Sequence, residues 1–169
     1  MKQNPRFDLS DIDYKFRIYA FLKDYYMGNL WDKLGIYGKV FVDFSQSQDG
    51  DSEILNRALQ LIRIQEAEAI YDFNRLFLGP GNLLAPPYES SYRNPEGLLM
   101  QKETMDVRKF YSAVGVGVKN RNSQPDDSLA LQFEFVCYLL FRAASHINNE
   151  PDKTNYYMEL YLQFIEEHI

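Results

Sequence analysis

The sequence predicts an all-α protein, and three observations carry that prediction. Apolar residues recur at three- and four-residue intervals through five segments, strand-type alternation is nearly absent, and glycine or proline stands at the ends of several periodic runs. A chain of 169 residues with 46% hydrophobic and 25% charged residues suits one globular domain spanning residues 1–169. We expect about six to seven helices in it.

The elements follow in order. "LSDIDYKFRIYAFLKDYYMG" opens the fold; Ser10, with Asp13 three residues on, follows a capping-box pattern, Ile12, Phe16, Tyr19 and Leu22 keep helical spacing, and Gly28 ends the run. "LWDKLGIYG" predicts one or two further turns. "VFVDF", Val40 to Phe44, has strand composition but no neighbouring strand to pair with, and reads as a loop or a helix start. "SQSQDGD" is a polar linker. From Ser52 to Leu78 helical spacing returns, with a break expected in "RIQEAEA" and a stop at Gly79-Pro80. "ETMDVRKFYSAVGV" is helical through Met105, Val107, Phe110, Tyr111 and Val114. "DDSLALQFEFVCYLLFRAASHIN" is the most apolar helix, with Leu129, Phe133, Val136, Leu140 and Ala144 toward the core. Pro151 opens a last helix that turns Tyr157, Leu160, Tyr161, Phe164 and Ile165 inward. That helix reaches Ile169 with no cap or breaker, so either its end frays or the natural chain continues.

Charge and chemistry narrow the function. A net charge of −6 opposes phosphate backbones and anionic membranes and suits a cationic partner. No apolar run approaches a spanning length and no leader-like apolar region opens the chain, so a cytoplasmic protein without stable membrane insertion is expected. The single cysteine, Cys137, lies in an apolar helical run and reads as a buried, inert thiol. Its company of two histidines, His146 and His168, makes no metal-ligand set. "VGVGV" lacks the third glycine of a dinucleotide fingerprint, "GPGN" is no phosphate loop, and no nucleophile elbow occurs. The sequence therefore predicts no catalytic residue, no metal and no cofactor.

Two segments stand out instead. One is the long loop "FLGPGNLLAPPYESSYRNPEG", whose Phe77, Leu83, Leu84, Tyr88 and Tyr92 are too aromatic and apolar for a spacer. The other is "QPDDSLALQFEF", where Asp126 and Asp127 fall at a helix start and can take up its first-turn N–H groups. Counted along a helix, Asp127, Leu131 and Glu134 share a face, which could hold guanidinium groups beside an apolar peptide run.

Together these segments resemble the TorD-like (TorD/DmsD) family of molybdoenzyme maturation chaperones. The loop follows the pattern Phe-x-Gly-Pro, a gap, then Pro-Pro-Tyr-Glu-Ser-x-Tyr, here Phe77, Gly79, Pro80, Pro86, Pro87, Tyr88, Glu89, Ser90 and Tyr92. The second follows Glu-Pro-Asp-Asp-His-Leu, with Gln124 in place of the Glu and Ser128 in place of the His; Pro125, Asp126, Asp127 and Leu129 are kept. Phe164 and His168 match the beginning of a Phe-x-x-x-His-Leu segment after which the family usually adds a final helix, which favours a chain that continues. The resemblance implies an all-helical, non-enzymatic cytosolic protein. Its partner would be the twin-arginine leader, the apo-form, or both, of a molybdoenzyme catalytic subunit, held back from export until the cofactor is loaded. The implied peptide site is Tyr88, Glu89, Tyr92, Asp126, Asp127 and Glu134, with carboxylates meeting cations and tyrosine rings packing on the peptide. A second reading is a helical adaptor for another folded partner, both motifs being structural. Nucleotide binding, suggested for some relatives, has no phosphate loop to support it here. A homodimer or helix-exchanged oligomer is compatible with an apolar strip left by an absent last helix.

Overall fold

The computed structural model describes residues 7–45 (side chains to residue 39), 57, 60, 66–80, 83–119 and 124–169. Among them every regular element is helical, and the sole β feature is an isolated antiparallel bridge between Tyr88 and Ser128. The elements are α1 (Leu9–Tyr26), α2 (Leu30–Ser45), α3 (Glu66–Phe73) running into a π-helical turn (Asn74–Leu78), a single turn α4 (Ser90–Arg93), α5 (Lys102–Ala113), α6 (Leu129–His146) and α7 (Pro151–His168). Their contacts gather into two compact units, one of Met1–Tyr26 with Pro87–Ile169, the other of Met27–Pro86.

In the first unit, α1 and α7 both pack on α6. The predicted cap of α1 lies two residues early: the Asp8 carboxylate accepts from the Ser10 amide at 3.4 Å and from its hydroxyl at 2.5 Å. Those bonds hold the Asp8 carboxyl below its ordinary range, and Asp13 instead pairs with Arg17 at 2.8 Å. α6 is buried over more than the predicted stripe. Phe135, Val136, Leu139, Leu140 and Ala143 join Ile12, Val107, Tyr111, Met158, Tyr161 and Phe164 in one core. Phe164 has no exposed surface and sits among the rings of Phe110, Tyr111 and Phe135 at 4.9–6.3 Å. On α7 the fully inward positions are Thr154, Met158, Tyr161, Phe164 and His168, while Tyr157, Leu160 and Ile165 pack from the edge. Met105, one of the residues at helical intervals on α5, is half exposed.

α5 ends in a Schellman motif. The Gly115 amide donates to Ser112 O at 3.0 Å and the Val116 amide to Tyr111 O at 3.0 Å, with Gly115 at φ +74°. Val116 then packs against the core.

In the second unit, α2 corrects two expectations at once. The predicted turn or two at "LWDKLGIYG" and the loop or helix start at Val40–Phe44 are one helix, Leu30–Ser45. Gly35 and the β-branched valines lower local propensity, but Leu30, Leu34 and Tyr37 are buried at i, i+4, i+7 and carry the helix through. Gly28, at φ +74° after α1, ends that helix as predicted and lies against the ring of Phe73. Phe73 packs on Trp31 and Phe77. Gly79 follows the π-helical turn as the predicted stop, and its lack of a Cβ avoids a 3.3 Å contact with Arg75 O. The linker at 46–51 and the start of the break expected in "RIQEAEA" lie outside the described residues; from Glu66 onward the chain is helical.

Candidate functional site

The second half of the proline-braced loop and the start of α6 are laced together through backbone groups. Pro87 O accepts from the Leu129 amide at 2.9 Å, and the Glu89 amide donates to Asp127 O at 3.1 Å. Tyr88 and Ser128 form the β-bridge between these two bonds. The loop therefore stands beside the amino end of the most apolar helix. Pro125, Asp126, Asp127 and Ser128 are all buried.

The helix begins at Leu129, not at the aspartates. Ser128, which stands where the family pattern has histidine, is its N-cap, with the hydroxyl accepting from the Leu131 amide at 3.4 Å and from Gln124 Nε2 at 3.0 Å. Asp127 consequently lies outside the helix, and the face it was expected to share with Leu131 and Glu134 is not formed. Its carboxylate, fully buried, turns to the loop instead. It accepts from the Ser90 amide at 2.8 Å and from Thr104 Oγ1 at 2.7 Å, so it caps α4 and ties it to α5. Asp126, 2% exposed, pairs with Arg108 through Nη2 at 2.5 Å and Nε at 3.2 Å. This hydrogen bond raises the Arg108 pKa. Asp126 O accepts from the Tyr111 hydroxyl at 2.9 Å, and burial pushes that phenol's pKa upward.

Glu89 is the third buried acid. One carboxylate receives Arg93 Nη1 at 2.5 Å, Gln132 Nε2 at 2.7 Å and His168 Nδ1 at 3.0 and 3.1 Å. It joins α4, α6 and α7 at one point. The His168 ring lies edge-on to Phe110 at 5.2 Å and against Phe164 at 5.0 Å, and its buried Nε2 has no hydrogen-bond partner. Arg93 Nη1 also donates to the carbonyl of Glu167 at 2.5 Å.

Two surface pockets between them take up four of the six sequence-predicted residues. Tyr88, Glu89 and the exposed Tyr92 line one of about 380 Å³, together with Leu129, Glu166, Glu167, His168 and Ile169. Glu134 and Leu131 line another of about 500 Å³, whose remaining wall is largely Tyr111, Val116, Val118, Phe135 and Tyr138. Asp126 and Asp127 line neither. The six predicted residues thus divide into two at a mouth (Tyr88, Tyr92), three beneath the surface (Glu89, Asp126, Asp127) and one in a separate pocket (Glu134). The sequence reading missed Arg93, Thr104, Arg108, Gln132, Glu166 and Glu167. Only Gln132 carried a signal, a lone amide inside "LALQFEFVCYLL", where an interior polar group requires a partner.

Among the described residues no group of three or more His, Cys, Asp or Glu is arranged to hold a metal ion, and no helix is long and apolar enough to cross a membrane. The arrangement offers apolar and aromatic walls with carboxylates at the rim, suited to an apolar, cationic ligand.

A family model described as "Nitrate reductase delta subunit" matches residues 46–169. The chain is 29% identical over 127 residues to "Chaperone protein TorD" of Aliivibrio fischeri, covering 75% of this chain and 58% of that protein. It is 38% identical over 91 residues to "Chaperone protein TorD" of Vibrio cholerae serotype O1, covering 54% and 40% respectively. It is 27% identical over 67 residues to the "Probable Tat proofreading chaperone DmsD" of Haemophilus influenzae, covering 40% and 33%. The chain spans about half the length of the curated relatives it matches first. No solved structure matches it.

Proposed function

Because the chain belongs to the nitrate reductase delta subunit family of TorD-like proteins, we propose that it is a non-catalytic cytoplasmic chaperone of a molybdoenzyme catalytic subunit, acting as one chaperone domain over residues 1–169. It binds the subunit's twin-arginine leader, its apo-form, or both, and assists cofactor loading before export. Relatives named as chaperones support the class. The observation that carries the peptide-binding part is the pocket formed where the braced loop meets α6 and α7, with Tyr88 and Tyr92 beside Glu89, Glu166 and Glu167. Rings that pack on apolar or guanidinium groups next to carboxylates match the two halves of such a leader. Asp126 and Asp127 enter this reading as the frame that holds the pocket rather than as its walls.

Calorimetric titration with a synthetic twin-arginine leader tests it. The Arg-Arg peptide should bind, and its Lys-Lys counterpart should bind several-fold more weakly because ammonium groups lack the planar fork. Equal binding of both, or none, overturns the leader reading. One observation favours the helical adaptor instead: all three buried acids of the motifs are engaged internally. Co-purification separates the two readings. A molybdoenzyme subunit retained with or without its leader supports the chaperone, and an unrelated folded partner supports the adaptor.

A further inference from the structure

The pocket beside Tyr92 already contains a guanidinium, and it belongs to the chain itself. Arg93 leaves the single turn α4 and places Nη1 2.5 Å from Glu89 Oε1 and 2.5 Å from the Glu167 carbonyl. Its side chain is 55% exposed, against 6% for Glu89. A second pocket of about 840 Å³ shares Glu89, Arg93, Glu166, Glu167 and His168 with the one beside Tyr92. Arg93 therefore lies on the partition between two adjoining depressions. The smaller of them is lined by Glu89, Glu166 and Glu167 with Arg93 as its one Lys or Arg, and the larger adds Lys102 and Lys109 beside Glu103 and Asp106. Glu166 has no ion-pair partner among the described residues, and Glu167 Oε1 accepts only from the Gln163 amide at 2.8 Å. His168, 9% exposed, lines both depressions and holds Glu89 through Nδ1 at 3.0 Å, while its Nε2 is buried without a partner.

We propose that this double depression is an arginine-recognition site in which Glu166 and Glu167 receive the partner's guanidinium, and that Arg93 is a resident competitor that the partner must displace. The proposal rests on the peptide-binding reading above and deepens it. Three features set the competition. Glu89 keeps Gln132 and His168 as donors when Arg93 leaves, so its charge is not stranded. Arg93 is more than half exposed, so solvent takes over its hydrogen bonds at little cost. Tyr92, 69% exposed, presents a ring on which an arriving guanidinium can stack. The incoming arginine thereby exchanges one internal pair for a stacked, carboxylate-bound one. The excess negative charge draws it in at low ionic strength.

The test is a calorimetric titration of the wild-type protein, Arg93→Gln, Arg93→Lys and the double variant Glu166→Gln/Glu167→Gln. Two probes are used: a twin-arginine leader peptide and an amidated Arg-Arg dipeptide without the apolar run. Melting curves confirm that each variant is folded. Arg93→Gln should bind both probes about two- to five-fold more tightly, the range expected for removing one exposed ion pair. Arg93→Lys should stay within about two-fold of wild type, since a competing cation remains. The double glutamine variant should lose about three-fold or more, and the differences should shrink in 0.5 M salt. A leader that binds wild type with unchanged affinity for Arg93→Gln overturns the competition while leaving the chaperone reading intact. A dipeptide that follows the predicted order while the leader fails to bind retains the arginine site and removes the leader reading. Absence of binding by both probes to every variant overturns both.

Discussion

Replacing Asp127 separates a frame from a binding wall. The carboxylate is fully buried and accepts two hydrogen bonds, from the Ser90 amide at 2.8 Å and the Thr104 hydroxyl at 2.7 Å. Hydrogen bonds to a charged group contribute about 1.5–3 kcal/mol each, and truncation leaves both donors buried without partners. Asp127→Ala should therefore cost about 3–5 kcal/mol, a large share of the roughly 5–15 kcal/mol that stabilises a domain. At about 2–4 °C per kcal/mol for a chain of this size, the melting temperature should fall by about 6–20 °C. Asp127→Asn keeps the shape and one good acceptor, so its cost should be about 1–2 kcal/mol. Thr104→Val removes one of the two donors, and a double-mutant cycle with Asp127→Ala should show a coupling of about 1–2 kcal/mol.

Urea unfolding followed by circular dichroism measures the wild type and all four variants. Leader titration well below each melting temperature supplies the second readout. Stability should fall while affinity stays within about two-fold, because Asp127 has no surface to offer a ligand. An Asp127→Ala protein that melts within about 2 °C of wild type and yet loses its leader would refute the network and restore direct contact by the aspartate.

Two other outcomes follow from single positions. Burial pushes the Cys137 thiol up to about 12, so almost no thiolate exists at pH 8; Cys137 should resist a disulfide reagent in the native protein and react at full rate in urea. Gly115 sits at φ +74° with open space where a Cβ would point, so Gly115→Ala should cost about 1–2 kcal/mol from backbone strain alone, read as a shift in urea midpoint, with leader binding unchanged.

The helices were largely legible because their signals are local. Period, caps and breakers lie within a few residues of one another, and Gly28, Gly79 and Pro151 act where the sequence places them. α2 was misread for the same reason: Gly35 and the valines speak locally against a helix, and the burial of Leu30, Leu34 and Tyr37 that overrides them is tertiary. What the acids of the two motifs do was not legible. Charge pattern suggests surface carboxylates, since aspartate is rarely fully buried, and only the Ser90 amide, the Thr104 hydroxyl and the Arg108 guanidinium explain why these two are.

That burial bears on how a binding site of this kind can be built. An irregular loop exposes amides that no helix or sheet partner satisfies, and buried amides left so are costly. Asp127 and the Glu89–Asp127 backbone bond satisfy two of them, and Pro86-Pro87 narrows the alternatives open to the chain before it folds. Carboxylates engaged in this way cannot also release their donors to a ligand without unravelling the turn they hold. A cation arriving from outside must then be met by acids that the fold does not consume. Around Tyr88 and Tyr92 those are Glu166 and Glu167, with Glu89 available only as far as Arg93 yields its place. Under the proposed peptide-binding function, the motif residues set the position and stiffness of the pocket, while affinity for a basic partner is set at Glu166 and Glu167.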